Sequence, residues 1–325
     1  PRSLKLQSKA ILHKNKKKRQ ITILKPGRNS SKKTRKKIVT QLINKPLFLL
    51  NSPAKKYYER AYHCSSQLIQ EGTSLKSLHC NSRTCISCNG KRTAAYIKHY
   101  GSQILSLPNP QFVTLTAKTV ECIDPDTLRY YIDEREHTWR KIFENGRKQN
   151  IKLVGMKAME VTARPYDYYH IHFHFIIDGK ENADWVVAQW LKHYKDAAPF
   201  LQKVKPINDE RSLLEVFKYG TKFADKEKVK VGGKIIEKWK RVEPERTDLI
   251  IQALRKKRFI SLFGGIRKME TEDVNEMDND KVIELEEKIY EEWLWCDIDW
   301  FAVSTGEKFS NYVISDTLLK VFNTA

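Results

Sequence analysis

Residues 168 to 178 read Tyr-Tyr-His-Ile-His-Phe-His-Phe-Ile-Ile-Asp, so histidine and bulky apolar residues alternate strictly. Neighbouring imidazoles on one surface are costly to keep together, and a metal ion between them is the usual remedy. A period of two sends His170, His172 and His174 to one face of a strand. Ile171, Phe173, Phe175 and Ile177 go to the other, where they can be buried. The competing explanation is a half-buried strand whose histidines face water. Residues two apart on a strand lie roughly 6 to 7 Å apart and residues four apart about 13 Å, so one ion does not reach all three histidines. His172 and His174 with Glu160 from the preceding strand form the better set, which leaves His170 at the rim or in support.

Four cysteines carry a second metal signal: Cys64, fifteen residues, then Cys80-x4-Cys85-x2-Cys88. A close pair on a tight turn, completed by two sulfurs from a neighbouring segment, is what tetrahedral zinc requires. Cys64 is preferred to His63 or His79 as the fourth ligand; the alternative is a group of buried free thiols. Cys122 and Cys296 lie apart and read as buried small apolar residues.

A third group sits on a helix expected from about 212 to 225. Leu213, Val216, Phe217 and Phe223 share one stripe, and Glu215, Tyr219 and Lys222 share the adjoining arc. A tyrosine thus stands beside a carboxylate and an ammonium, an arrangement that an amphipathic helix with an exposed ion pair would also give.

The elements that must hold these groups follow from punctuation and period. Residues 92 to 105 predict a helix stopped by Pro108 and Pro110, and 111 to 118 a strand with Thr114 and Thr116. Pro125 opens a helix over 126 to 149, and residues 153 to 162 make the strand with Glu160. The short link around Pro165 predicts antiparallel pairing with the histidine strand. Further expectations are a helix from about 182 to 197, a polar hairpin over 229 to 247 around Gly232-Gly233, the basic run 255 to 258, and a solvated acidic helix or insert over 270 to 292.

The net charge of +21 is concentrated: residues 1 to 58 hold 18 Lys or Arg and no acid, while the rest holds 42 basic and 39 acidic residues. Such an arm binds phosphates without sequence preference. Residues 14 to 19 and 32 to 37 are its dense clusters, and no fixed structure is expected there beyond the apolar pieces 21 to 24 and 47 to 50. No run of some 18 apolar residues could span a bilayer, and no signal peptide is evident, so the expected location is cytoplasmic with no membrane partner.

Together, the strand FVTLT, the segment MEVT before YHIHFHF, EVFKYGTK, KRFISLFGG and the cysteine unit with Arg83 inside it resemble rolling-circle replication initiators of small plasmids. These are HUH endonucleases of the single-tyrosine type with Glu-x3-Tyr. The resemblance covers about residues 57 to 266 and implies several roles. His172, His174 and Glu160 would bind Mg²⁺ or Mn²⁺, and Tyr219 would attack a DNA phosphate to give a 5′-phosphotyrosine and a free 3′-hydroxyl. Glu215 would direct water at termination, and Lys222 would orient the tyrosine or neutralise the phosphate. Lys218, Arg83 and Arg164 are the candidate DNA-binding residues. Ile171 stands where many relatives have proline. The chemistry asks for such a set independently: a phosphodiester needs charge drawn off it, and a tyrosine with a pKa near 10 needs a nearby cation.

The expected fold is α+β, a central antiparallel sheet with flanking helices of the HUH/RRM-like kind plus a small zinc-binding subdomain. The expected division is a basic arm at 1 to 54, the zinc-binding subdomain at 55 to 108, the nickase core at 109 to 268, and an acidic insert with the C-terminal tail at 269 to 325. Expected partners are single-stranded or hairpin origin DNA, a host polymerase and a host helicase, since no Gly-x4-Gly-Lys-Ser/Thr stretch is present. A homodimer is compatible with this scheme. Competing functions are a transposase or mobilisation relaxase with the same chemistry, and a non-catalytic zinc-containing DNA-binding regulator.

Overall fold

The histidine strand is β6 (Tyr168–Asp178), and its alternation is realised: Tyr169, Ile171, Phe173, Phe175 and Ile177 are buried while His170, His172 and His174 are partly exposed. The computed structural model describes residues 26–209, 213, 216, 217, 223–231, 234–268 and 290–323. In it β6 lies between β5 (Gly155–Arg164) and β3 (Pro110–Thr116), antiparallel to both. β10 (Ile260–Phe263) continues the sheet beyond β5, and β7 (Lys203–Pro206) beyond β3. The two-residue strand β4 (Val120–Glu121) pairs with the start of β6.

The turn from β5 to β6 sets the register, because Arg164 pairs with Tyr168 across three residues. Tyr166 and Asp167 both take left-handed φ of 58°, which matches the strand twist a tight hairpin needs. One glycine is demanded by close approach: a Cβ on Gly155 would lie 1.8 Å from the Ile176 carbonyl oxygen. Another, Gly264 in the Phe-Gly-Gly turn after β10, has φ +73°, and its Cβ would stand 2.3 Å from the Leu153 oxygen. No bulkier residue fits at either place without moving backbone.

Three helices cover the apolar face of β6: α4 (Pro125–Lys148), α5 (Lys180–His193) and α6 (Pro244–Ala253). Asp124 caps α4, its side chain accepting from Asp126 N at 2.9 Å and Thr127 N at 2.8 Å. Trp139, Ile142, Val186, Trp190, Ile250 and Leu254 pack there against Phe173 and Phe175. Full burial of each such side chain stabilises by about 1.5 to 3 kcal/mol. The helices expected over 92–105, 126–149 and 182–197 are present with ends shifted by a few residues; α5 stops at His193, short of 197.

The opposite face is only partly covered. Beyond the histidines, Met156, Ala158 and Ile176 pack under α3 (Ile86–Leu105) through Tyr100 and Ile104, and under Leu213, Val216 and Phe217. The helix expected from 212 to 225 ends earlier than that, since Ala224 begins β8 (Ala224–Val231), which pairs with β9 (Lys234–Arg241). The hairpin therefore starts before residue 229; Gly232 and Gly233 lie outside the described residues.

The expectation for the N-terminal arm is corrected in part. Residues 28 to 49 form α1 (Arg28–Leu49), a 22-residue helix that buries Thr34, Lys37, Ile38, Thr40, Ile43, Asn44 and Leu47. Four of those seven are polar, so no apolar stripe announces the helix. They find partners: Asn44 Nδ2 donates to Thr84 O at 3.0 Å, Thr34 Oγ1 to Asp299 Oδ1 at 3.1 Å. The cluster at 14 to 19 and the piece 21 to 24 lie outside the described residues.

The C-terminal strands β11 (Glu291–Cys296) and β12 (Asp299–Ala302) join β1 (Gln67–Glu71) and β2 (Ser74–Lys76) in one sheet, ordered β12-β11-β1-β2. Trp293, Trp300 and Phe309 bury themselves on Leu68. The cysteine unit and the tail are thus packed together across the boundaries expected at 108 and 269. The last residues of the acidic stretch are strand: Glu291 is buried and accepts from Ser304 N at 3.0 Å. Residues 269 to 289 lie outside the described residues. Cys122 is buried, whereas Cys296, expected to be buried, is exposed. After β12 the chain ends in α7 (Asp316–Asn323). No helix among the described residues is long and apolar enough to cross a membrane.

Candidate active site and cysteine cluster

Sheet register assembles the histidine site. Glu160 on β5 pairs with His172 and Ala158 with His174, while on β3 Thr114 pairs with His174 and Thr116 with His172. The strand pairing thus brings Glu160 beside the histidine row. The side chains add a diagonal: His174 Nε2 lies 3.0 Å from Glu160 Oε2, close enough for an imidazole N–H to donate to the carboxylate. Thr114 Oγ1 stands 3.4 Å from Nδ1, on the other side of the ring, and Phe112 stacks on it with centroids 5.5 Å apart. Both Glu160 and His174 keep 17% of their side-chain surface exposed, so the pair opens to solvent on the rim of a buried sheet.

His172 shares the face of His174, with ring planes 10° apart and centroids 6.1 Å apart. Its Nε2 lies 3.5 Å from Thr162 Oγ1, and its ring sits 3.9 Å from that of His170. Burial, reinforced by the charges of Arg164 and Arg135, lowers His170 to about 4, so it stands neutral beside the pair. The donor types are right for a divalent ion: two neutral-capable imidazoles and a carboxylate on one edge of a face that reaches water. Glu160 and His174 already touch, whereas His172 is one residue pair further along. Thr162, Thr114 and Phe112 hold the rings, and β-branched residues at alternate positions of FVTLT and MEVT were the trace of this in the sequence.

Glu215, Lys218, Tyr219 and Lys222 lie outside the described residues. Their described neighbours do not: Val216 and Phe217 are buried against Ala158 and Ile176, on the histidine face of the sheet. Thr93 Oγ1 of α3 donates to Phe217 O at 3.1 Å, and Phe217 lies 5.8 Å from Tyr96, ring to ring.

Of the expected DNA-binding residues, Arg164 closes β5 and is exposed. Arg83 turns inward. It donates to Leu254 O at 2.9 Å and Lys257 O at 2.6 Å, and its guanidinium lies 3.7 Å from the Phe259 ring. Its side chain ties the cysteine unit to the end of α6.

Cys64, Cys80, Cys85 and Cys88 converge, with all four sulfurs within 4.8 Å of one another, and no other group of three or more ligands among the described residues does so as tightly. Cys64 to Cys88 is 3.6 Å and Cys80 to Cys88 3.7 Å. A tetrahedron with zinc–sulfur bonds of about 2.3 Å has edges of about 3.8 Å, so the cluster could hold a metal such as zinc. Four sulfurs would leave such a metal no open position for a substrate, the arrangement of a structural rather than a catalytic site.

The second layer was not foreseen. Cys85 caps α3, accepting from Cys88 N at 3.5 Å, and Thr40 Oγ1 of α1 lies 3.9 Å from its sulfur. The wholly buried Lys37 donates to Tyr62 O, Cys64 O and Ser66 Oγ at 2.9, 2.6 and 3.0 Å. Burial lowers Lys37 to about 8 although the cysteines oppose the shift. Hydrogen bonds to Cys64 and Cys88 push His79 up, and Lys91 contacts His79. Positive groups around thiolates are the usual outer support of such a centre.

A family model described as a replication protein, Rep_1, matches residues 73–302. No curated protein and no solved structure matches the chain.

Proposed function

The chain belongs to the Rep_1 replication protein family, and from that membership we propose that it initiates rolling-circle plasmid replication by nicking and rejoining one strand at an origin. Tyr219 is the nucleophile. Its phenolic oxygen forms a bond to phosphorus, the bond from phosphorus to the 3′ oxygen breaks, and the proton leaves the tyrosine as the 3′-hydroxyl gains one. The 5′ end stays on the protein as a phosphotyrosine, and the 3′-hydroxyl primes a host polymerase, with a host helicase opening the duplex. His172, His174 and Glu160 would hold Mg²⁺ or Mn²⁺, which would draw charge off the phosphodiester when bound. Lys222 neutralises phosphate beside the tyrosine, and Glu215 directs water at the terminating cleavage.

The observation that supports this most is the burial of Phe217, two residues before Tyr219 in sequence, on the face that carries His174. Thr114 and Glu160 meanwhile fix His174 from both sides of its ring. The test is to incubate the protein and Mn²⁺ with single-stranded oligonucleotides spanning its replicon's origin and to look for a covalent protein–DNA adduct. Wild type should form it and Tyr219→Phe should not. An adduct with Tyr219→Phe would make another residue the nucleophile. Binding of origin DNA with no adduct from wild type would favour the non-catalytic zinc-containing regulator.

A further inference from the structure

A cavity of about 1100 Å³, which the nicking scheme does not use, lies between the cysteine unit, the start of α4 and the turn from α6 to β10. Of its twenty lining residues nine are Lys or Arg and one, Asp126, is acidic. Like charges focused in one recess attract a polyanion strongly.

Part of that charge has a structural task. Arg92 donates to Asn81 O at 2.7 Å and Lys257 pairs with Asp133, while Arg83 and Arg129 donate to carbonyl oxygens at the end of α6, Arg129 to Gln252 O at 2.7 Å and Arg255 O at 3.1 Å. A helix C-terminus carries partial negative charge, so these contacts explain themselves. The remainder does not. Lys56, Arg60, Arg255, Lys256 and Arg258 are exposed, and among the described residues their side chains have no hydrogen-bond or ion-pair partner. Lys256 also holds φ +64°, a left-handed conformation in which glycine would be unstrained.

Sheet geometry relates the cavity to the histidine face. Ile260 lines it and opens β10; Ile260 pairs with Ala158, and Ala158 with His174. Strands are about 4.8 Å apart, so this wall stands roughly 10 Å from the His174 row. That is about three bases at the 3.4 Å rise along one DNA strand. A cube of this volume has an edge of about 10 Å, room for a single strand, whereas a duplex, which is wider than its own roughly 12 Å major groove, does not fit. Tyr57 and Tyr96 add ring surface on which bases can stack.

The geometry points to this cavity as a single-stranded DNA site, in which Lys56, Arg60, Arg255, Lys256 and Arg258 hold the backbone of the strand adjoining the phosphodiester to be cut. It deepens the nicking proposal, and its test involves no cleavage. Binding of a fluorescein-labelled twelve-nucleotide oligo(dT) to the full chain is followed by anisotropy without added Mg²⁺ or Mn²⁺, over a series of salt concentrations.

Arg255→Ala/Lys256→Ala/Arg258→Ala should weaken binding about tenfold or more. With roughly 0.7 counterions released per phosphate, it should also flatten the slope of log K against log salt by about 2. Arg147→Ala/Lys148→Ala/Lys152→Ala removes equal charge about 27 Å away along α4 and should stay within about twofold of wild type. Lys56→Ala/Arg60→Ala, on another element, should weaken binding in the same direction even if the triple variant folds poorly. Equal losses in both triple variants, wild-type binding in Lys56→Ala/Arg60→Ala, or an equal loss for an oligo(dT)·oligo(dA) duplex would overturn the assignment. None of these outcomes bears on the Tyr219 adduct, which is read separately.

Discussion

Glu160 stands opposite His172 in the β5–β6 ladder, yet its carboxylate meets the diagonal neighbour His174 at 3.0 Å. Diagonal pairs are within reach of long side chains in an antiparallel sheet, and Thr114 and Phe112 contact the His174 ring from the β3 side.

That relationship predicts graded losses at the metal. Thr114→Val removes the hydroxyl beside His174 Nδ1 and should raise the Mn²⁺ concentration for half-maximal nicking about 10- to 100-fold, as loss of an outer-shell partner does. Glu160→Ala should cost more, and excess Mn²⁺ should not restore its rate. A Thr114→Val variant with an unchanged Mn²⁺ titration would remove Thr114 from this role.

The cysteine cluster predicts one zinc per chain by elemental analysis, lost in Cys85→Ser. Metal binding in such sites contributes on the order of 10 kcal/mol to folding. Chelation should therefore loosen both the cysteine unit and the C-terminal strands, because β11 pairs with β1. Limited proteolysis should then cut after residue 290 in the chelated protein and not in the zinc form.

A buried carboxylate ties α2 (Lys55–Tyr62) to α6. Asp248 accepts from Tyr58 Oη at 2.5 Å, Ser52 Oγ at 2.7 Å and Gln252 Nε2 at 2.9 Å. Tyr58→Phe should cost about 1 to 2 kcal/mol. Asp248→Ala should cost about 3, since it leaves a fully buried phenol unpaired. Urea denaturation measures both, and the reverse order would show that Tyr58 rehydrates.

Lys157 is buried on β5, 3.0 Å from Glu136 and 4.8 Å over the Phe173 ring. Burial lowers its pKa below the 10.5 of the unfolded chain, Glu136 offsetting part of the shift. Between the two values the folded state binds fewer protons than the unfolded state, so this group makes stability rise with pH in that window. Lys157→Met should abolish that rise and cost little or even stabilise, whereas Glu136→Gln should destabilise by about 1 to 3 kcal/mol by leaving the ammonium unpaired. Midpoints of urea unfolding from pH 7.5 to 10 distinguish these outcomes.

Legibility followed periodicity. β6, β3, α4 and the four-cysteine cluster were readable because their burial is one-sided and apolar, or because sulfur spacing is short; β5, buried on both faces, was readable from the mostly apolar company of Glu160. The buried side of α1 escaped because it is Thr34, Lys37, Thr40 and Asn44, whose burial is favourable only with partners such as Thr84, Asp299 and the backbone of the cysteine unit. Arg83 was expected at DNA only from the resemblance, and its structural contacts were not foreseen. Its carbonyl partners Leu254 and Lys257 are about 170 residues away in sequence and give no local sign.

By itself the sequence determined which face of each strand carries histidine, which thiols can share a metal, and that the chain is α+β, since these follow from periods of two and 3.6 and from ligand chemistry. Only the tertiary structure decided that Glu160 turns to His174, that Arg83 serves α6, and that the tail completes the sheet of the cysteine unit. It alone brought Lys56 and Arg60 opposite Arg255, Lys256 and Arg258. Each of those contacts joins residues whose separation in the chain carries no periodic signal, so the register of strands and the packing of helices must be known before they exist.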